Sequence, residues 1–109
     1  MGLDCYIFTE TSERDELWYG RKTNAIHGWM QRKSGVPAMD FNCRDLPLTH
    51  ELLDELQADL DAGKMTPTEG FFFGSPDDPD YVREYTQEAI DAARASIDAG
   101  KGAVYTSWW

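Results

Sequence analysis

Residues 48–63 read LTHELLDELQADLDAG and carry the clearest helix pattern in the chain. Four leucines recur at three- and four-residue spacing and share one face: Leu52, Leu53, Leu56 and Leu60. Thr49 is a favoured N-cap residue, and Gly63 stands where helices commonly end. The stretch therefore predicts an amphipathic helix whose leucine face must be covered by another layer of the same domain.

On the C-terminal side of this helix, the pattern predicts a strand, a helix and a strand. Residues 70–74 are three phenylalanines between glycines, which favours a buried strand. Asp78 and Pro79 are a typical helix start, and Gly100 is a typical helix end. Residues 103–109 then predict a last strand, for which one alternative is a position at the edge of the sheet.

On the N-terminal side, the pattern predicts a strand and then a helix. Residues 3–8 are apolar and aromatic, with Cys5 and Ile7 on one face and Tyr6 and Phe8 on the other. Residues 9–15 predict a turn. Residues 20–33 predict a helix with one apolar stripe, formed by Trp18, Ala25, Ile26, Trp29 and Met30. Residues 36–47 predict an irregular connection, with a short strand inside it as an alternative.

Together these elements predict an α+β fold: a small three- to four-stranded sheet with three helices, in the order β-α-α-β-α-β. The helices are expected to cover one face of the sheet. A chain of 109 residues has the length of one domain, so we expect residues 1–109 to form a single domain.

The charge of the chain is uneven and limits its partners. Residues 1–44 carry six basic and six acidic residues, whereas residues 45–109 carry four basic and fourteen acidic residues. This surface repels phosphate backbones, so we expect no non-specific binding of nucleic acid. The sequence has no apolar run long enough to span a membrane, no secretory signal, no cofactor or metal motif and only two cysteines. We therefore expect a cytoplasmic protein without a cofactor or metal.

The predicted first helix holds the best candidate site. At 100° per residue, Arg21, Asn24, His27 and Gln31 fall in one sector, which can bind an anion or, through His27, provide an acid or base. Lys22 falls inside the apolar stripe. The alternative is an ordinary solvent-exposed helix face.

Four stretches resemble a family of small uncharacterised proteins of bacteriophages and prophage-bearing bacteria. Residues 1–6 resemble their opening MGLDMY, and residues 19–30 resemble their YWRKANAIHGWF, with Gly20 in place of Trp. Residues 67–75 and 105–108 are similar to their PTQSGFFFGS and YSSSW. The resemblance implies a phage accessory protein in the bacterial cytoplasm, and it marks as one motif set Arg21, Lys22, Asn24, His27 and Trp29.

These observations support three hypotheses of function. The first is a module that binds a small anionic ligand, such as a host nucleotide signal, through Arg21 and Lys22, with Trp29 or Phe72 stacking on a base. The second is an acidic inhibitor of a host bacterial protein. The third is a phosphodiester hydrolase that uses His27. We also expect a homo-oligomer, because Trp108 and Trp109 are adjacent and one of them must point away from the core of its own domain.

Overall fold

The computed structural model describes residues 3–21, 23–37, 40–41, 44–65 and 79–108, without the side chains of Asn24 and Pro79. These residues include four strands and three helices. In chain order they are β1 (Asp4–Phe8), β2 (Glu16–Arg21), α1 (Asn24–Ser34), β3 (Leu46–Leu48), α2 (His50–Asp61), α3 (Pro79–Asp98) and β4 (Ala103–Trp108). The predicted α+β class, with a three- to four-stranded sheet and three helices, is confirmed.

The sheet has the strand order β2-β1-β4-β3, and its three strand pairs are antiparallel. Successive residues of a strand point to opposite faces of the sheet. Cys5 and Ile7 of β1 are fully buried on the face that the helices cover, which we call the covered face. Tyr6 and Phe8 are only half-buried on the opposite face, which we call the open face.

The helices form one layer, in which α3 packs against β2 and β4 and against both other helices. The predicted helix at 48–63 is confirmed as α2. The Thr49 hydroxyl accepts a hydrogen bond from the backbone N–H of Leu52 at 3.1 Å, and the helix buries Leu53, Leu56 and Leu60. This is the N-cap that the sequence predicts, and the leucine face completes the core.

The first helix begins later than predicted, because residues 16–21 form the strand β2 instead. Trp18 and Gly20 therefore belong to a strand, and the helical spacing of Trp18 with the later apolar residues is a coincidence. Residues 9–15 turn the chain back, as expected, so that β2 pairs with β1. Thr9 closes this turn: its hydroxyl accepts from the N–H of Asp15 at 3.0 Å, and its own N–H donates to the carbonyl of Asp15 at 2.9 Å.

Three strand predictions remain to be compared with the structure. The connection at 36–47 contains the start of a short strand, the alternative named for it: this strand, β3, pairs with residues 103–105 of β4. The last strand is not an edge strand, because β4 lies between β1 and β3. The strand predicted at 70–74 lies outside the described residues.

Candidate ligand-binding site

His27 lies in the core of the domain and not on an exposed helix face. Its side chain is 3% exposed, and its ring contacts those of Phe41 and Tyr105, with centroids 5.4 and 6.4 Å away. Burial lowers the pKa of His27 to about 4, because the charged imidazolium loses its hydration. A neutral, enclosed imidazole favours a structural role over acid–base catalysis.

A chain of polar atoms connects His27 to the sheet. His27 Nδ1 lies 3.0 Å from the Tyr105 hydroxyl, and that hydroxyl donates to Sγ of Cys5 at 3.2 Å. When Tyr105 donates to Cys5, Nδ1 of His27 must carry the hydrogen and donate to the Tyr105 oxygen. The three side chains thereby satisfy polar atoms that would otherwise be costly to bury.

Trp29 joins two helices. Its ring is 2% exposed, its Nε1–H donates to Oδ2 of Asp59 on α2 at 2.8 Å, and the Lys33 ammonium lies 5.3 Å from the ring centroid. The indole N–H therefore links α1 to α2, and the burial of the side chain leaves almost no ring surface for a base.

The described members of the predicted helix sector do not form a single surface. Arg21 is exposed at the end of β2, whereas His27 is buried on α1. Gln31 is half-buried and donates to the Val36 carbonyl. Trp29, which was predicted to stack on a base, is also buried. Lys22, Phe72 and the side chain of Asn24 lie outside the described residues, so their part in a site stays a prediction.

The open face carries a cluster of aromatic rings around Tyr6. Its ring stacks on that of Phe8, with centroids 5.3 Å apart, and it lies 5.2 Å from Tyr19 and 6.2 Å from Trp108. Nε1–H of Trp108 donates to the Tyr6 hydroxyl at 3.3 Å. Even so, Trp108 is 54% exposed and Tyr19 is 45% exposed, so the cluster is held in place while its outer surface meets solvent.

A shallow groove of about 310 Å³ runs over this cluster between β1 and β4. We call it the open-face groove, and its lining is almost entirely apolar: Tyr6, Phe8, Thr106, Ser107 and Trp108. Small-molecule sites are typically concave, apolar and at least this large. The groove can therefore accept one flat ring system on the exposed aromatic side chains.

Arg14 stands over one end of the open-face groove. Its guanidinium carbon lies 5.1 Å from the ring centroid of Phe8, and it pairs with the Asp45 carboxylate at 3.2 Å. Both partners of this ion pair are about half exposed, and such pairs contribute little free energy. An arriving anion can therefore compete with Asp45 for the guanidinium.

Asp4 stands at the opposite end of the cluster. It pairs in register with Arg21 on one side and Trp108 on the other, and it accepts a hydrogen bond from the Tyr19 hydroxyl at 2.6 Å. This hydrogen bond, followed by burial and the charge of Asp4, raises the pKa of Tyr19 to about 12. The carboxylate makes this end unfavourable for an anion, so Arg14 is better placed than Arg21 to receive one.

The helix layer presents a different surface, dominated by carboxylates. α2 and α3 together carry ten acidic residues and two arginines. Some of these charges are paired: Arg94 with Asp54 at 2.6 Å and Arg83 with Asp61 at 3.5 Å. The remaining excess of negative charge places the acidity of the chain on the side of the sheet away from the open face.

Sequence reasoning missed the open face as a site, although part of its signal is present. The alternation in residues 3–8 places Tyr6 and Phe8 together on one face, and the paired tryptophans require one exposed ring. Tyr19 and Arg14 were missed because residues 16–21 carry a weak strand pattern that the aromatic spacing of a helix obscures.

Searches of the structure and comparisons with known proteins add three findings. Within the described ranges, no group of three His, Cys, Asp or Glu side chains is arranged to hold a metal ion. No helix in those ranges is long and apolar enough to cross a membrane. Comparisons with protein-family models, curated proteins and solved structures found no match to this chain.

Proposed function

We propose that this protein is a phage accessory protein of the bacterial cytoplasm that binds a small anionic ligand with a planar ring, such as a nucleotide that serves the host as a signal. The observation that carries the proposal is the open-face groove, an apolar groove floored by exposed aromatic rings with Arg14 over its Phe8 end. Binding without turnover would sequester the ligand.

The energetics favour a single stacked base. Stacking of a base on an aromatic side chain contributes roughly 1–3 kcal/mol, and hydrogen bonds from a guanidinium to phosphate are among the strongest in proteins. The acidic helices lie behind the sheet, and salt screens charges over about 8 Å. The net charge of −10 therefore opposes a long nucleic acid more strongly than a mononucleotide.

The first test is calorimetric titration with mononucleotides, cyclic nucleotides and the matching nucleosides. The proposal predicts saturable binding of at least one nucleotide, and Trp108→Ala should abolish it. Tyr81→Ala is the matched control, because Tyr81 is a similarly exposed aromatic residue on α3, outside the open-face groove. No binding of any of these compounds, or equal losses in both variants, would contradict the proposal.

The second test separates the two arginines. Arg14→Gln should weaken binding of the nucleotide to the level of its nucleoside, about tenfold or more, and should leave nucleoside binding unchanged. Arg21→Gln should have a much smaller effect, because Asp4 lies beside Arg21 in the sheet. The reverse order of effects would place the anion at the other end of the face.

A second candidate function is inhibition of a basic host protein by the helix layer. The observation in its favour is the ten carboxylates on α2 and α3 against two arginines, since such a surface can occupy a site made for nucleic acid. A pull-down from host lysate at low and high salt tests it. A basic partner retained only at low salt, and retained equally by Trp108→Ala, would favour this function over ligand binding.

We also propose that the chain forms a homo-oligomer with Trp108 or Trp109 at or near the interface. The exposed ring of Trp108 on the open face supports this proposal. Because Trp108 also lines the open-face groove, an interface that covers this ring would compete with the ligand. Light scattering should show a dimer or larger species for the intact chain and a folded monomer after removal of the last two residues. A monomeric intact chain at micromolar concentration would refute it.

A further inference from the structure

The outer edge of β2 borders a second groove, separate from the open-face groove. β2 is the end strand of the sheet and pairs with β1 alone among the described strands. An edge strand presents unpaired backbone N–H and C=O groups that can pair with an added strand. No other described strand pairs with this edge, and α3 packs against β2 at this side of the sheet, so the edge has a helix as its second wall.

This edge groove encloses about 270 Å³ between β2 and α3. Its inner part is aromatic: the ring of Tyr85 lies 6.4 Å from that of Trp18, and the ring of Tyr81 stands edge-on to Tyr85 at 4.9 Å. Tyr81 is 46% exposed. The groove therefore offers an aromatic floor and an exposed aromatic side wall next to backbone groups that pair with no other described strand.

The helix wall of the edge groove is negatively charged. Glu84 and Glu88 are one helical turn apart on α3 and both line the groove. Both are exposed, and neither makes an ion pair with another described residue. Arg21 lines the strand wall of the same groove and is exposed, so two carboxylates face one cation. The groove thus combines a strand edge that no described strand covers, an aromatic floor and a net negative charge.

Gly20 shapes the strand wall of the edge groove. A Cβ atom at this position would lie 2.4 Å from the Trp18 ring, so only glycine allows that ring to lie flat along β2. The ring is consequently held over the backbone of its own strand, where it forms part of the groove.

We infer that the edge groove binds an extended peptide segment that alternates basic and apolar residues and adds to the sheet as a strand beside β2. Strand addition next to a helix is a recurrent mode of peptide recognition, in which backbone hydrogen bonds give affinity and side-chain pockets give specificity. Glu84 and Glu88 outnumber Arg21 in the lining, and their position on the α3 wall favours basic side chains on that side by charge complementarity. A second copy of β2 fits less well, because it brings its own acidic α3 to the same place.

The test uses a fluorescently labelled seven-residue peptide that alternates lysine and valine, followed by fluorescence polarisation. The inference predicts saturable binding, and no binding of a peptide that alternates glutamate and valine. Methylation of the backbone nitrogens along one edge of the lysine peptide should abolish its binding, because it removes the donors that a strand needs. Absence of binding by the lysine peptide, or equal binding of its methylated form, would overturn the inference.

A matched pair of double variants separates the edge groove from general electrostatic attraction. Glu84→Gln with Glu88→Gln should weaken the lysine peptide about tenfold or more. Glu51→Gln with Glu55→Gln has the same spacing and the same charge change on α2, outside the groove, and should leave binding nearly unchanged. Equal losses in the two double variants would overturn the inference. Nucleotide binding should be unaffected by either, so this proposal and the proposed function can fail separately.

Discussion

The two faces of the sheet are built from the same strands but differ in how far their aromatic residues are buried. On the covered face, Tyr105 is fully buried and its hydroxyl reaches His27 and Cys5. On the open face, Trp108 and Tyr6 form a hydrogen bond with each other, and the indole remains more than half exposed.

We therefore expect aromatic residues of the covered face to affect stability and those of the open face to affect binding. Aromatic residues on the covered face complete a core that already excludes water, so changing them should affect folding. Rings on the open face bury only part of their surface against each other, and a ligand or partner that covers them gains the remaining apolar burial. Variants that change one face at a time test whether the two faces differ in this way.

The largest expected effect compares neighbouring residues of β1. Ile7→Ala removes a fully buried side chain and should lower the free energy of unfolding by about 2–5 kcal/mol, because it leaves a cavity. Tyr6→Ala removes ring contacts on the open face and should cost about 0.5–1.5 kcal/mol. Urea denaturation of both variants measures the difference, and equal losses would show that the open face is part of the folding core.

A second prediction uses pH to test the covered face. Folded His27 has a pKa near 4, below its ordinary value of 6.5, so the unfolded chain takes up this proton first as the pH falls. The free energy of unfolding should therefore decrease from pH 7 to pH 4, with His27 contributing about 3 kcal/mol of the loss.

His27→Gln provides the control for this prediction, because glutamine does not titrate. Its free energy of unfolding at pH 7 should be lower than that of the wild type, but it should fall less steeply toward pH 4. Parallel pH profiles for the two proteins would mean that His27 has the same pKa in the folded and unfolded states, contrary to the shift expected from its burial.

The third prediction concerns the contact between Gly20 and Trp18. Gly20→Ala places a methyl group 2.4 Å from the indole and 2.7 Å from Thr23, and such overpacking should cost about 1–3 kcal/mol. Trp18→Phe removes the outer ring atoms of the indole, so the same substitution should cost less in that background. Thermal unfolding of the four proteins measures both effects, and an unchanged cost in the Trp18→Phe background would exclude the indole as the cause.

The smallest expected effect is confined to the open face. Asp4→Asn removes the charged acceptor of the Tyr19 hydroxyl and should return the pKa of Tyr19 from about 12 toward 10.0, since the phenolate no longer faces a carboxylate. The tyrosine ring carbon signals in an NMR titration report this value. A pKa that stays near 12 would place the cause elsewhere, whereas thermal stability should change little because the pair is exposed.

The sequence was sufficient for elements with strong local signals. The leucine stripe and its Thr49 cap predicted α2, and the alternation in residues 3–8 predicted which side chains of β1 share a face. The strand β2 could not be predicted in the same way, because its alternation competes with the chance helical spacing of Trp18 and Trp29. Only the pairing of β2 with β1, a contact between distant residues, decides between the two patterns.

The candidate site depended more strongly on such distant contacts. Residues near His27 in the sequence give no sign that Tyr105 and Phe41 enclose its ring, so a polar residue at helical spacing was expected to face outward. Similarly, Arg14 lies in the turn before β2, and its place over Phe8 follows from the hairpin that β1 and β2 form. The proposed class of ligand was inferred from residue types, whereas the proposed position of its site rests on the fold.

The most direct test of the account is an NMR titration of the tryptophan indole N–H signals with nucleoside monophosphates and cyclic nucleotides. The chain has four tryptophans, and single Trp→Phe variants assign their signals. The account predicts that the Trp108 signal shifts in a saturable manner, while the signals of the buried Trp18 and Trp29 stay in place. No shift of Trp108 with any of these nucleotides, or a larger shift of Trp29, would contradict the claim that the open face of the sheet is the ligand-binding face.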